Sequence, residues 1–170
     1  WFRRLLMWPI EQAVKTGSIT TETSDNIEKN LLRHLEEAAE QIAPSQTSPL
    51  ALDWINGRRT PWANQKLSAA IGDLKLGTDA PTLMRTLLEA TAYGARAIIE
   101  TFENADIPIE RIMAIGGVAR KSKLGMQILA DITGREIQVA ASDLSPAIGA
   151  AVFAATAAGL YADVFEAQKA

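Results

Sequence analysis

Two adjacent glycines mark the stretch of this sequence whose residues could most readily do chemistry. Gly116 and Gly117 follow a short apolar run, IMAI, within AIGGVARKSKLGMQILADITG, residues 114–134. Because glycine has no Cβ, its backbone N–H group can approach a ligand that a side chain would block. The pattern predicts a strand, a Gly-Gly turn and a helix over 123–134, with Ser122 as the helix cap.

The charges beside this turn have the wrong sign for the start of a helix. They belong to three cations, Arg120, Lys121 and Lys123. The first N–H groups of a helix make that end partly positive, so acidic residues are favoured there by roughly 0.3–1 kcal/mol each. The sequence therefore predicts that an anion binds at the turn. The alternative is a structural turn with solvated cations, and neither a P-loop nor a Rossmann glycine pattern is present.

Composition excludes several classes of function. The 170 residues carry a formal net charge of −3 and include no Cys. A chain of that charge has no general attraction to nucleic acid, so we expect no nucleic-acid partner. Without Cys the chain cannot form disulfides or thiolate metal sites, which fits a reducing, cytoplasmic setting. The one histidine, His34, lies beside the apolar stripe of a predicted helix, and we expect it to be solvated.

Neither of two apolar stretches predicts a targeting signal or a membrane span. WFRRLLMWPI, residues 1–10, is interrupted by Arg3, Arg4 and Pro9 and lacks a small-residue cleavage site. The chain also begins without Met, so we expect a fragment of a longer protein. PAIGAAVFAATAAGLYA, residues 146–162, is mostly Ala and Gly and too weakly apolar to span a membrane. We expect its small residues to pack closely against neighbouring elements.

The apolar pattern divides the chain into a helical segment, 1–47, and an α/β part, 48–170. In the first, residues 24–43 have apolar residues at helical spacing, with Ser24 or Asp25 as the cap. The predicted buried line is Ile27, Leu31, Leu35, Ala38 and Ile42. A helical segment therefore precedes the part that carries the Gly-Gly turn.

Strands and helices alternate in the second part. After a polar connection at 43–49, the predicted strands are 50–55, 111–117 and 136–140, and the predicted helices are 80–105, 123–134 and 146–159. The predicted buried line of helix 80–105 is Leu83, Leu87, Ala90, Gly94 and Ala97. A glycine inside a helix costs about 1 kcal/mol relative to Ala, so we expect another backbone close to Gly94. Ser145 should cap the last helix and Gly159 should end it.

The residues around the Gly-Gly turn resemble a known family. GGVARKSKLGMQILADITGREIQVAASDLSPAIGAA is similar to the C-terminal domain of the FGGY carbohydrate kinases, and NGRRTP and LLEATAYGAR extend the resemblance upstream. Among members of that family, LALDWINGRRTPWANQKL, LLEATAYGARAIIETF and IQVAASD are most similar to those that phosphorylate L-ribulose. The resemblance covers most of the α/β part in consistent order, which makes it far more specific than a pair of glycines.

The resemblance implies an α/β fold of the ribonuclease H-like, actin-like ATPase type, here a lobe incomplete at its N-terminal edge. In that family ATP lies between two lobes, and the Gly-rich loop lies against the nucleotide. The positions carried over are Gly116, Gly117 and Ala119 at this loop and Ser122 near the adenosine. Val118 stands where many sugar kinases have a third glycine, which is a departure from the family pattern.

The resemblance also implies which parts lie elsewhere. The family's catalytic Asp and its phosphate loops correspond to positions before Trp1, so we expect no catalytic residue and no metal ligand in this chain, and no activity from it alone. Its partners would be an N-terminal sugar-binding lobe, Mg²⁺ with the ATP, and a ketopentose. The alternatives are a kinase of the xylulose, gluconate or glycerol type, or a non-catalytic actin-like interaction module. A homo-oligomer is left open, and no membrane partner is expected.

Several other polar residues have two competing interpretations, one structural and one functional. The carboxylates of Asp53, Asp73, Asp131 and Asp143 could be taken for a general base, but we expect structural roles for them. The loop DWINGRRTPWAN could be an interlobe or substrate-side segment that uses Trp54, Arg58, Arg59 and Trp62. The other interpretation is a packed Trp with Arg residues that donate to loop carbonyls.

Overall fold

The computed structural model of the chain describes residues 1–44, 49–142 and 144–169. The chain divides into two compact units, Trp1–Thr101 and Phe102–Ala170. The predicted boundary between residues 47 and 48, and most of the polar connection predicted before it, lie outside the described residues. That boundary therefore stays a prediction.

The first unit begins with two helices that pack against each other, α1 (Phe2–Lys15) and α2 (Thr21–Glu40). Helix α2 starts earlier than the predicted cap at Ser24 or Asp25, because the hydroxyl of Thr20 accepts a hydrogen bond from Thr23 N at 3.1 Å. Leu35 is buried as predicted, but Ala39 is buried in place of Ala38. The buried line is therefore displaced by one residue at its C-terminal end.

Two short strands follow, β1 (Leu50–Leu52) and β2 (Ala70–Gly72). They pair antiparallel, with Leu50 opposite Gly72 and Leu52 opposite Ala70. The predicted strand over 50–55 is therefore only half as long, and its partner was not predicted at all. A strand of three residues is too short to show a period in the sequence.

The long helix α3 (Ala80–Glu103) lies close to its predicted range. Asp79 caps it, because its carboxylate accepts from Thr82 N at 2.9 Å and also from the Thr82 hydroxyl. The hydrogen bond from the Thr82 hydroxyl, followed by that from the Thr82 backbone, holds the pKa of Asp79 below its ordinary value of 3.8. The cap thus favours the charged carboxylate.

The buried face of α3 is more polar than predicted. Its four buried residues are Arg85, Thr86, Ala90 and Ala92, and of the predicted line only Ala90 is fully buried. Arg85 Nε donates to Glu89 Oε1 at 2.8 Å, with the two side chains only 6% and 14% exposed. Arg85 Nη1 also donates to the carbonyl of Ala39 at 3.4 Å, which links α3 to the C-terminal end of α2. A pattern that counts only apolar residues cannot find such a pair.

The second unit contains a parallel pair of strands, β3 (Ile112–Ala114) and β4 (Ile137–Val139). Ile112 lies opposite Ile137 in this pair. Between the strands, the chain forms α4 (Gly117–Lys121) and α5 (Lys123–Thr133), and α5 ends at a left-handed Gly134 with φ 64°. The predicted strand, helix and strand are confirmed, and the short helix α4 replaces part of the predicted turn.

The last elements are α6 (Ser145–Ala157) and α7 (Val164–Ala167). The N-cap of α6 is Leu144 and not Ser145, whose hydroxyl instead donates to the carbonyl of Ser142 at 2.8 Å. Gly159, at φ 74°, follows the helix end as predicted. No residue of α6 is buried, so the expected close packing of its small residues is wrong: within its unit it packs against α7, which has only four residues.

Among the described residues, no helix combines the length and the apolar character that a membrane crossing requires.

Candidate functional site

The Gly-Gly turn follows β3 after one residue, Ile115. Gly116 adopts φ 89° and ψ 176°, a backbone conformation that residues with a Cβ essentially never adopt. Gly117 is the first residue of α4, and its φ is not in the left-handed region. A Cβ built on either glycine would meet no atom within 4 Å. The turn is therefore open on the side where side chains would project.

Ala119 and Ser122 anchor the segment behind the turn. Each has only 8% of its surface exposed. The Ser122 hydroxyl accepts from Gly125 N at 3.1 Å, so the predicted cap of α5 is confirmed. The backbone of Ser122, at φ −100° and ψ 88°, interrupts the helical path and separates α4 from α5. Ser122 thus fixes both where α4 ends and where α5 begins.

The charge pattern differs from the one that the sequence predicted. Arg120 and Lys121 lie in the last turn of α4, where cations are favourable, and not in the first turn of a helix. Only Lys123 lies at the first position of α5. The predicted placement of Arg120 and Lys121 around the first turn of a helix is therefore wrong, so their charges do not argue for an anion, and the anion site itself stays a prediction. No sequence pattern predicts the five-residue helix α4 that changes their position.

The loop after β4 contacts β3 and α4 at the carboxyl edge of the parallel strands. Ala140 N donates to the carbonyl of Ala114 at 3.0 Å, which extends the pairing of β3 and β4 by one bond. Arg120 Nη1 donates to the carbonyl of Ala141, also at 3.0 Å, across 21 residues of sequence. The loop after β4 is thereby attached to α4. Loops at the carboxyl ends of parallel strands are the usual ligand site of α/β folds.

An open cavity of about 650 Å³ lies beside this edge. Its lining includes Ala119, Arg120 and Lys123, and Gln127 of α5. Gly116, Gly117 and Ser122 do not line it. The four carried-over positions are thus contiguous along the chain, but only Ala119 belongs to the cavity.

Two of the aspartates considered as a general base contact other polar side chains. Asp131 accepts from Gln127 Nε2 at 2.7 Å, and Asp73 lies 3.5 Å from Lys75 Nζ. Asp143 lies outside the described residues. In the part of the chain that the structure describes, no three His, Asp or Glu side chains come together as a metal-binding group would require. His34 is exposed beside Arg33, at 2.9 Å from its Nη2.

The loop after β1, in the first unit, is held by aromatic and backbone contacts. The guanidinium of Arg58 lies 5.5 Å from the ring centroid of Trp54 and 5.9 Å from that of Trp62. Arg58 Nε donates to the carbonyl of Trp62 at 2.9 Å, as one of the two interpretations of this loop expects. Trp62 is nevertheless 71% exposed, so it is not the packed tryptophan of that interpretation.

Backbone pairing closes the same loop. Arg58 and Asn64 exchange two hydrogen bonds, at 3.0 and 2.9 Å. Gly57 makes this closure possible, because its φ is 73° and a Cβ there would lie 2.5 Å from the Cα of Gln65. The loop and α3 line a cavity of about 490 Å³. Within it, the nearest neighbour of a Cβ on Gly94 would be the Asp53 carboxylate, at 3.4 Å, and not another backbone as expected.

Comparison with known proteins places the chain among carbohydrate kinases. Residues 3–158 match the model of the FGGY family of carbohydrate kinases, C-terminal domain. The ribulokinase of Vibrio parahaemolyticus is 47% identical over 168 residues, which are 99% of this chain and 30% of that protein. The ribulokinase of Halalkalibacterium halodurans is 39% identical over 155 residues, 91% of this chain and 27% of that protein. The chain therefore spans less than a third of the length of these relatives.

Solved structures agree with the predicted fold. A xylulose kinase from Rhodospirillum rubrum superposes with a TM-score of 0.64 and 26% identity, over 86% of this chain and 28% of that one. The glycerol kinase of Plasmodium falciparum, solved with ADP, superposes with a TM-score of 0.65 and 22% identity, over 85% of this chain and 29% of that one. The predicted actin-like ATPase fold is thereby confirmed. This chain belongs to the FGGY family of carbohydrate kinases, as part of the C-terminal domain.

Proposed function

We propose that this chain is the ATP-binding C-terminal lobe of a sugar kinase, which transfers the γ-phosphoryl group of Mg-ATP to L-ribulose. The observation that carries the proposal is the open Gly116–Gly117 turn at the carboxyl edge of two parallel strands. The family supplies the reaction class, and the two ribulokinase relatives support the choice of acceptor.

The residues of the turn fit a nucleotide. Gly116 and Gly117 leave open space where other residues would place a Cβ, so a bound phosphate or ribose could approach their backbone N–H groups. Ala119 is buried behind them, and Ser122 holds the start of α5 in place. In this proposal the four residues bind and orient ATP, and Mg²⁺ arrives with the phosphates. We assign it no ligand among the described carboxylates.

Positioning is a large part of catalysis in phosphoryl transfer. The protein stabilises the charge on the transferred group and holds the acceptor hydroxyl in line with it. In the proposed arrangement this lobe holds the nucleotide, while an N-terminal lobe supplies the sugar site and the carboxylate that accepts the hydroxyl proton. The chain alone is then expected to show no sugar-dependent turnover of ATP.

The choice of sugar is tested with the full-length protein that contains this chain. Initial rates with L-ribulose, xylulose, glycerol and gluconate, each at saturating Mg-ATP, give kcat/KM for the four acceptors in one assay. We expect the highest value for L-ribulose. A higher value for any competitor would refute ribulose as the acceptor and keep the kinase, whereas no turnover with any sugar would favour the non-catalytic module.

A further inference from the structure

The cavity of about 490 Å³ in the first unit has the composition of a binding site for a small molecule. Its wall is mainly apolar, and ligand pockets of this kind are typically about 300–1,000 Å³ with a few polar groups among apolar residues. The ionisable residues that line it are Asp53, Arg58, Arg59 and Tyr93. None of them belongs to the Gly-Gly turn, so the proposed nucleotide site leaves this cavity unexplained.

Arg58 is held in place before any ligand arrives. Two indole rings lie within 6 Å of its guanidinium, and its Nε donates to the carbonyl of Trp62. Within the described part of the chain, no hydrogen bond uses its Nη1 or Nη2. A guanidinium fixed in this way presents planar donors that suit the oxygens of a phosphate or a carboxylate.

Asp53 adds an acceptor to the same cavity. No ion pair or hydrogen bond of its carboxylate is found among residues 1–44, 49–142 and 144–169. Helix α3 makes room for it with Gly94, although glycine lowers helix stability. An ionised carboxylate only accepts hydrogen bonds, so its natural partners are hydroxyl groups of a ligand.

The backbone of Trp62 gives an independent sign of function. Its φ of 54° lies in the left-handed region, which is uncommon for a bulky residue. Such conformations persist where the surrounding structure enforces them, often at ligand sites. Here the reciprocal bonds of Arg58 and Asn64 enforce it and keep the indole at the cavity. An exposed aromatic face can cover the C–H face of a sugar ring or chain.

We infer that this cavity binds a polyhydroxy compound with one anionic group, a phosphorylated sugar or a sugar acid. The two guanidinium groups of Arg58 and Arg59 bind the anion, the Asp53 carboxylate accepts from hydroxyl groups, and the indole of Trp62 packs against the carbon chain. With two cations and one carboxylate the cavity lining favours a ligand of net negative charge. This second site goes beyond the proposed phosphoryl transfer, because none of its residues is assigned to the nucleotide.

Hydrogen–deuterium exchange with the full-length protein locates such a ligand directly. The four probes are ribose 5-phosphate, gluconate, ribose and inorganic phosphate, and the peptides that decide the result cover residues 53–62. We expect ribose 5-phosphate, gluconate or both to slow exchange there, at concentrations at which ribose and phosphate have no effect. A separate sample with ATP alone is read at the peptides over 116–125, which report on the nucleotide site, so failure of one site is distinguishable from failure of the other.

Variants show whether the named groups bind the probe. Arg59→Gln and Asp53→Asn should each raise the concentration needed for half-maximal protection by about tenfold or more. Neither side chain has a hydrogen bond among the described residues, so both variants should fold. The matched control is Arg96→Gln, an exposed Arg of α3 whose partner is Glu100 and which does not line the cavity. No protection with any probe, equal protection by ribose, or unchanged protection in both variants would overturn the inference.

Discussion

Glycines in the two units have opposite surroundings. A Cβ on Gly57, in the loop after β1, would lie 2.5 Å from a backbone atom of Gln65. A Cβ on Gly116 or Gly117 would meet no atom within 4 Å. The first glycine is therefore needed by the protein itself, because another segment occupies the space. At the second pair the space is open, and a ligand can use it.

Backbone conformation adds a second distinction. Gly57 and Gly116 both have φ in the left-handed region, at 73° and 89°, whereas Gly117 does not. Gly57 thus needs glycine for both space and conformation, and Gly116 for conformation. No described contact and no dihedral angle requires a glycine at Gly117. Among the three, Gly117 is the position at which a side chain tests ligand binding with the least effect on the fold.

The largest effect on stability is expected for Gly57→Ala. The new Cβ would clash with the Gln65 backbone and occupy a strained φ, at a cost on the order of 3 kcal/mol. Native-state hydrogen exchange over residues 54–65 measures this as a lower free energy of local opening. Gly17→Ala, with φ 74° and open space, should cost about 1 kcal/mol, and Gly77→Ala, with neither constraint, at most about 0.5 kcal/mol. Equal costs at all three positions would contradict the steric explanation.

An intermediate effect is expected at the Gly-Gly turn. Gly116→Ala should destabilise the segment around α4 by about 2 kcal/mol, because its φ and ψ lie in a region that is nearly exclusive to glycine. Gly117→Ala should change stability by less than about 0.5 kcal/mol. Exchange rates over residues 115–125 compare the two variants. If Gly117→Ala is the more destabilising of the two variants, then Gly116 is not the residue whose backbone conformation requires glycine.

Smaller effects than at Gly57 or Gly116 are expected at the two helix caps. Asp79→Ala and Ser122→Ala should each cost about 1 kcal/mol at pH 7. Because hydrogen bonds lower the pKa of Asp79, its contribution is fully present above the ordinary value of 3.8 and is lost as the pH falls through the lower folded pKa. The cost of Ser122→Ala should not depend on pH in that range. Carboxyl ¹³C NMR of Asp79 gives the midpoint, and a value at or above 3.8 would contradict the cap.

The elements with a clear period could be predicted from the sequence. Helices α3 and α5, strands β3 and β4, and the Ser122 cap follow from apolar spacing, β-branched residues and a serine before a helix. The local pattern singled out Gly116, Gly117 and Ser122, and a family resemblance added Ala119 and a role toward ATP. The match to the family model supports that resemblance at the level of the domain. Their role toward ATP stays a proposal.

The remaining features depend on particular contacts that no periodic pattern shows. Strand β2 is too short to show a pattern, and Arg85 is buried only because Glu89 and the Ala39 carbonyl accept its N–H groups. The left-handed Trp62 results from the pairing of Arg58 with Asn64. Such specific contacts override local propensity, so apolar spacing and residue preferences do not reveal them.

The central claim is that the open face of Gly117 lies against ATP, and one variant tests it most directly. Gly117→Val places a branched side chain in the open space, where it should block the nucleotide without a clash inside the protein. Loss of one or two charge-assisted contacts, each roughly 1.5–3 kcal/mol, raises the ATP KM by about tenfold or more. Lys123→Gln, at the first position of α5, is the nearby control and should change the ATP KM far less, because Lys123 is exposed and an exposed ion pair contributes at most about 1 kcal/mol.

The measurement is the ATP KM of the full-length protein and both variants at saturating sugar, with circular dichroism to show that each variant is folded. We expect a folded Gly117→Val protein with an ATP KM raised about tenfold or more, and a Lys123→Gln protein close to the parent. A folded Gly117→Val protein whose ATP KM equals that of the parent would contradict the claim, because the open face of the turn would then not contact ATP.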